Sequence, residues 1–184
     1  MKDNIAFVTI SKDLPQIAFR PSSPDYGHLR EIFMNNSYFL PIKDFQPKFI
    51  LDCGANIGGS AIYFTLRYPN AKVLAVEPES SNFDILKANT AHYKNIECLH
   101  SALWNKVSYI KVIDPYHAVD AFMTVDADPK EPGAMKATTV SKLLEDSGFD
   151  EIPQGHTGRA CRPHWLLGKH VEPFHQRQDG QAWR

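Results

Sequence analysis

The chain has 184 residues, room for one domain of ordinary size and too few for two substantial ones. Hydrophobic residues make up 43% and charged residues 22%, a balance that excludes wholesale disorder. Lys and Arg total 20 against 21 acids, so the formal net charge of −1 excludes binding of nucleic acid through overall charge.

The three cysteines, Cys53, Cys98 and Cys161, have no CxxC spacing, and neither a disulfide framework nor a zinc site is read from them. No apolar run approaches the roughly 18 residues of a membrane helix. The start, Met1-Lys2-Asp3-Asn4, lacks the basic region and apolar core of a signal peptide. The expectation is a soluble cytoplasmic protein with no membrane partner.

Three zones follow one another. Residues 1–48 form an N-terminal cap segment, 49–152 an alternating strand and helix domain, and 153–184 a divergent tail. In the first zone, Ile5 to Ile10 is a β-branched run that reads as a strand, and Ile17 to Arg20 is placed to pair with it as a hairpin. Asp25 stands at an N-cap position before a helix with apolar residues at 29, 32 and 33. Tyr38-Phe39-Leu40 closes the zone before Pro41. The zone reads first as a structural cap, with direct substrate contact as the alternative.

The second zone begins with the apolar run Lys48 to Asp52 and the Gly-rich turn Cys53-Gly54-Ala55-Asn56-Ile57-Gly58-Gly59. A helix follows with Ile57, Ala61, Phe64 and Tyr68 on one side, stopped by Pro69-Asn70. Lys72 to Glu77 reads as a buried strand. Ser80 or Ser81 is placed to cap a helix in which Phe83 and Leu86 share a face. Asn95 to Leu103 reads as a third strand. This β-α-β-α-β alternation means a parallel sheet with helices on both faces and right-handed crossovers. Beyond Trp104, Val107 to Ile113, Ala121 to Asp126 and Lys136 to Val140 read as further strands, and Ser141 to Ser147 as a helix stopped by Gly148.

In such a sheet, ligands bind beyond the carboxyl ends of the strands. Asp52, the turn, Glu77 and Ser101 to Leu103 all belong there. Gly54 permits a tight turn off the strand, and Gly58 and Gly59 permit close approach of a ligand or a helix. Glu77, 23 residues after Gly54, ends the second strand, where a carboxylate accepts from both hydroxyls of a ribose. The turn is not G-x-G-x-x-G and not a P-loop. Asp52 would repel a pyrophosphate and suits an ammonium group. S-adenosylmethionine meets these conditions, with a ribose, an amino-acid end and no phosphate. A Gly-rich loop in some other α/β protein is the alternative.

These stretches resemble the FkbM family of S-adenosylmethionine-dependent methyltransferases. The resemblance lies in Phe49 to Gly58, Tyr68-Pro69-Asn70-Ala71 and Val76 to Phe83. It extends to Phe19-Arg20-Pro21 with Asp25 and Phe33, to Ala102-Leu103-Trp104, and to Ala137 to Val140 with Leu143-Leu144-Glu145. It implies a Rossmann-like methyltransferase fold acting on a hydroxyl of a sugar or natural product, so the expected partner is a small-molecule or glycan acceptor. Carried over by position, Asp52, Gly54, Asn56 and Gly58 surround the methionine end, Glu77 holds the ribose, and Ser101, Ala102 and Leu103 border the adenine. No catalytic base is assigned. His92, His100 and His117 are titratable, with His100 expected as a packed or surface residue, and Asp126 and Asp128 as a solvated loop.

The family continues after a segment like Gly148 to Ile152 into a strand ending in a Lys-x-Asp-x-Glu/Gln-Gly motif, which this chain lacks. The C-terminal strands of the fold are therefore expected to be missing, and the chain to be truncated or divergent after Ile152. The tail from Pro153 admits three readings. One is a metal site from His156, Cys161, His164, His170 and His175, although the spacings fit no standard zinc pattern. Another is a substrate-binding appendage. The third is a tail read out of frame, through a frameshift or altered splicing, favoured because codons for Pro153 to Gly158, read one nucleotide later, permit Leu-Lys-Asp-Ile-Gln-Gly, one residue short of the motif before the Asp. Missing strands would leave the first strand as a sheet edge and favour self-association through it. Two other functions stand beside methyl transfer: a catalytically silent module holding S-adenosylmethionine, and a nicotinamide-dependent oxidoreductase, against which the glycine spacing and Asp52 speak.

Overall fold

The computed structural model describes residues 4–35, 37–39, 45–113 and 123–147. The expected strands at 5–10 and 17–20 form the antiparallel hairpin β1 (Ala6–Val8) and β2 (Ile17–Phe19). Helix α1 (Asp25–Phe33) follows and buries Leu29 and Ile32. Its N-cap is Pro24, not Asp25, and no side chain caps it. Asp25 is instead the first helical residue, and its carboxylate turns back to Arg20.

The centre is a three-stranded parallel sheet of β3 (Phe49–Cys53), β4 (Lys72–Glu77) and β5 (Ile96–His100), in that order. Helix α2 (Gly59–Arg67) crosses from β3 to β4, and α3 (Ser80–Thr90) from β4 to β5. The register sets Asp52 against Ala75 and Glu77 against His100. Side chains alternate across the sheet, which separates two cores. Ile50, Val73 and Ala75 pack with Ala61 and Phe64 of α2 and Leu86 of α3. Leu51, Cys53, Leu74 and Val76 pack on the other face with Leu143 of α4 (Val140–Asp146). Helices thus cover both faces, as a Rossmann-like fold requires. Among the described residues β3 pairs with β4 alone.

Two expectations are corrected here. The run from Asn95 to Leu103 is not one strand. It breaks at Ser101, and β6 (Ala102–Leu103) enters a second sheet of order β6-β9-β7-β8, with β7 (Ser108–Ile113), β8 (Met123–Asp126) and β9 (Ala134–Thr138). In that sheet β6 runs parallel to β9, while β7 runs antiparallel to β8 and β9. Nor do Ser80 or Ser81 cap α3. Glu79 does, accepting from the backbone amides of Ser81 and Asn82. A carboxylate at that place also opposes the positive end of the helix dipole. Leu40, Pro41, Ala121, Phe122, Gly148 and the tail lie outside the described residues.

Candidate functional site

Asp52, last but one in β3, and Glu77, last in β4, lie at the carboxyl ends of adjacent parallel strands and, by the alternation, point to the same face as Ile50, Val73 and Ala75. The Gly-rich turn lies between them. It is pinned to β4 by Gly54 N and Ala55 N, both donating to Val76 O at 2.8 and 3.0 Å. Gly54 (φ +77°) and Asn56 (φ +49°) take the left-handed conformation. A Cβ on Gly54 would meet nothing within 4 Å, so the space beside it is open. Gly58 (φ +93°) differs, since a Cβ there would stand 2.9 Å from Leu86 Cδ1 and 3.3 Å from Thr90 Cγ2. Its close neighbour is therefore α3.

Asp52 is fully buried, with Ser60 Oγ donating to Oδ2 at 2.7 Å. Its other oxygen, Oδ1, is buried without a partner, as is Asn56 Oδ1. Burial, reinforced by the charge of Glu77, pushes the Asp52 carboxyl up to about 7 despite the Ser60 bond. Glu77, 5% exposed, accepts from Asn56 N through Oε2 at 2.8 Å and from Glu79 N through Oε1 at 2.9 Å. Asn82 Nδ2 lies 3.5 Å from Oε1. Burial raises the Glu77 carboxyl too, and these donors only partly oppose it. Each carboxylate oxygen has two acceptor positions, so Glu77 keeps capacity for further donors.

Ser101, Ala102 and Leu103 follow directly on the end of β5. Ser101 Oγ donates to Lys136 O at 3.1 Å, Ala102 packs with Ile110 and Ala137, and Leu103 packs against the core on the α4 side. Their side chains face the protein. His100 is exposed, stacked on Phe83 at 4.6 Å, with Nε2 3.0 Å from Pro78 O. His92 is exposed, and His117 lies outside the described residues. Asp126 Oδ1 accepts from Trp104 Nε1 at 3.1 Å, and Asp128 turns onto Lys130 N.

Sequence reasoning gave no role to Arg20, Ser60, Asn82 or Tyr38. The Tyr38 hydroxyl is pushed up to about 12 by burial and by the charge of Asp52, so the phenol belongs to the surroundings of that acid. Arg20 and Asn82 were inside the quoted stretches, but nothing in a linear sequence reports that residues 62 apart meet. Ser60 follows Asp52 by eight, and only the strand-turn-helix geometry brings its hydroxyl back.

No protein-family model matches the chain. It is 35% identical over 89 residues to Methyltransferase sdnD of Sordaria araneosa, covering 48% of this chain and 30% of that protein. It is 36% identical over 61 residues to Methyltransferase 1 of Beauveria bassiana (strain ARSEF 2860), covering 33% of this chain and 24% of that protein. The chain thus spans less than a third of the length of these relatives. A crystal structure of methyltransferase FkbM from Methylobacillus flagellatus KT aligns with a TM-score of 0.33 at 15% identity, over 53% of this chain and 23% of that one. In the matched stretches the chain is similar to these two methyltransferases.

Proposed function

We propose that the chain binds S-adenosylmethionine at the carboxyl ends of β3 and β4 and serves methyl transfer to a hydroxyl oxygen of a sugar or natural product. The observation that carries this reading is the pair of buried, unpartnered acceptors, Asp52 Oδ1 and Asn56 Oδ1, beside the open Gly54 turn. A buried acceptor left unmade costs about 1–3 kcal/mol, and more when charged. An ammonium donates to carboxylate and amide oxygens alike, and the amino-acid end of S-adenosylmethionine carries one. Glu77 adds a carboxylate at the next strand end, suited to ribose hydroxyls. The relation to curated methyltransferases supports the reaction class, and the FkbM resemblance supports the hydroxyl acceptor.

When bound, the group supplies an electrophilic methyl on a sulfonium. The chain's contribution is orientation and exclusion of water: Asp52 and Asn56 at the amino-acid end, Glu77 at the ribose.

Calorimetric titration with S-adenosylhomocysteine tests the reading. Micromolar binding is expected for the chain, falling at least tenfold in Glu77→Ala through loss of charge-assisted bonds. A folded chain that does not bind overturns it. Transfer of labelled methyl to a panel of hydroxyl acceptors then separates an active enzyme from a silent module.

A further inference from the structure

Arg20 is 4% exposed and Asp25 1%, an unusual burial for a pair of charges. The guanidinium donates through Nε to Asp25 Oδ2 at 2.9 Å and through Nη2 to Asp25 Oδ1 at 3.0 Å. This bidentate pairing uses one side of the fork. The remaining donors reach across to the start of α3: Nη1 to Ser81 Oγ at 3.0 Å, and Nη2 also to Asn82 Oδ1. Each of those acceptors passes the constraint on. Ser81 Oγ, accepting from Arg20, donates its own proton to Glu79 Oε2 at 2.6 Å. Glu79 N donates to Glu77 Oε1 at 2.9 Å. Asn82, whose oxygen is taken by Arg20, must direct its amino group the other way, and that group stands 3.5 Å from the same Glu77 oxygen.

Resting on the ribose role given to Glu77, we infer that Arg20 is a positioning residue for the ribose carboxylate, acting through Ser81 and Asn82. The hairpin and α1 are then more than a cap. Asp25 fixes the guanidinium, the guanidinium fixes the start of α3, and that start presents two N–H donors to Glu77, Glu79 N just before the helix and Asn82 Nδ2 within it. A buried ion pair contributes little net stability compared with apolar packing, whereas its directed donors specify one geometry. Lysine keeps the charge and loses the fork, so it cannot hold Asp25, Ser81 and Asn82 together.

The test is calorimetric binding of S-adenosylhomocysteine and of its 2′-deoxyribose analogue to four chains: the parent, Arg20→Lys, Asn82→Ala and Leu29→Ala. Leu29 is buried with Ile17, Ile57 and Ile62 and makes no described bond to the guanidinium, so its variant reports lost packing with the Arg20 fork left in place. The parent is expected to prefer the ribose form by about tenfold, the worth of one hydrogen bond to a charged group. Arg20→Lys and Asn82→Ala should shrink that preference to about twofold, while Leu29→Ala lowers the melting temperature and keeps the preference. Asn82→Ala leaves the Arg20–Asp25 pair intact, so the test survives if Arg20→Lys fails to fold. Unchanged preference in the variants, or equal shrinkage in Leu29→Ala, overturns the positioning role and leaves the cofactor reading standing. Absence of binding by the folded parent overturns the cofactor reading and this inference with it.

Discussion

Asp52 carries opposite demands. In the unfolded chain an aspartate titrates near 3.8, and in the fold burial holds this one near 7. Between those values the folded chain binds the proton more tightly than the unfolded chain, so stability falls as pH rises through the window and levels off above it. Asp52→Asn removes this titration. The variant should lose the Asp52 share of the pH 4–7 slope in its melting temperature, leaving that of Glu77, and melt above the parent at pH 8, where the parent holds a buried, half-paired charge. Its affinity for S-adenosylhomocysteine should fall at least tenfold, because an amide no longer neutralises an ammonium. Melting curves from pH 4 to 8, with and without the ligand, check both halves; identical slopes in the two chains would show that Asp52 is not the group held high. That an acid stands near the end of β3 is plain in the sequence. That only one of its oxygens is satisfied depends on where α2 returns Ser60, which sequence does not state.

The elements show why the glycines of the turn are not equivalent. Gly54 and Gly58 are both left-handed, but Gly54 faces open space and Gly58 faces α3. Gly54→Ala bears conformational strain alone, about 1–2 kcal/mol. Gly58→Ala bears that strain and a contact of 2.9 Å to a fully buried Leu86, for a total of about 2–4 kcal/mol. Denaturant unfolding should order the two accordingly. Equal losses would mean that α3 shifts freely, against its anchoring by Asn89. Asn89 exchanges bonds with both Ala18 N and Ala18 O and also donates to Ile57 O. The sequence predicts the tight turn from Gly54, but it leaves open whether a ligand or a helix approaches Gly58. The cap of α3 was hidden for a different reason. Serine is a commoner N-cap than glutamate, and the sequence offered two serines, yet the chain enters the helix one residue earlier, after Pro78.

At the scale of the molecule, α3 links three parts: the hairpin through Arg20 and Asn89, the turn through Gly58, and the sheet through Leu86. The parallel sheet was legible because a strand covered on both faces is a continuous apolar run, as in Val73 to Val76. The second sheet was legible only in part. Its strands alternate, but the pairing of Ala102 with Ala137 joins residues 35 apart, and pattern carries no signal of that distance. The roles of Arg20 and Asn82 were not legible at all, since a polar residue reads as surface until its partner is known. One consequence separates the parts experimentally. Amides of β4, bonded on both sides and nearly unexposed, should exchange slowest, and those of the outer strand β8 fastest. Adding S-adenosylhomocysteine should slow exchange at residues 54–58 and 77–82, the strand ends that would touch it. If Arg20 joins the hairpin to Glu77, protection should spread to residues 17–25 as well, although none of them is placed against the ligand, and β7 and β8 should not change. Protection confined to the strand ends would mean that the hairpin merely packs on α3. Protection reaching residues 17–25, and losing that reach in Asn82→Ala, would mean that the turn between β4 and α3 carries the ligand's effect to the hairpin.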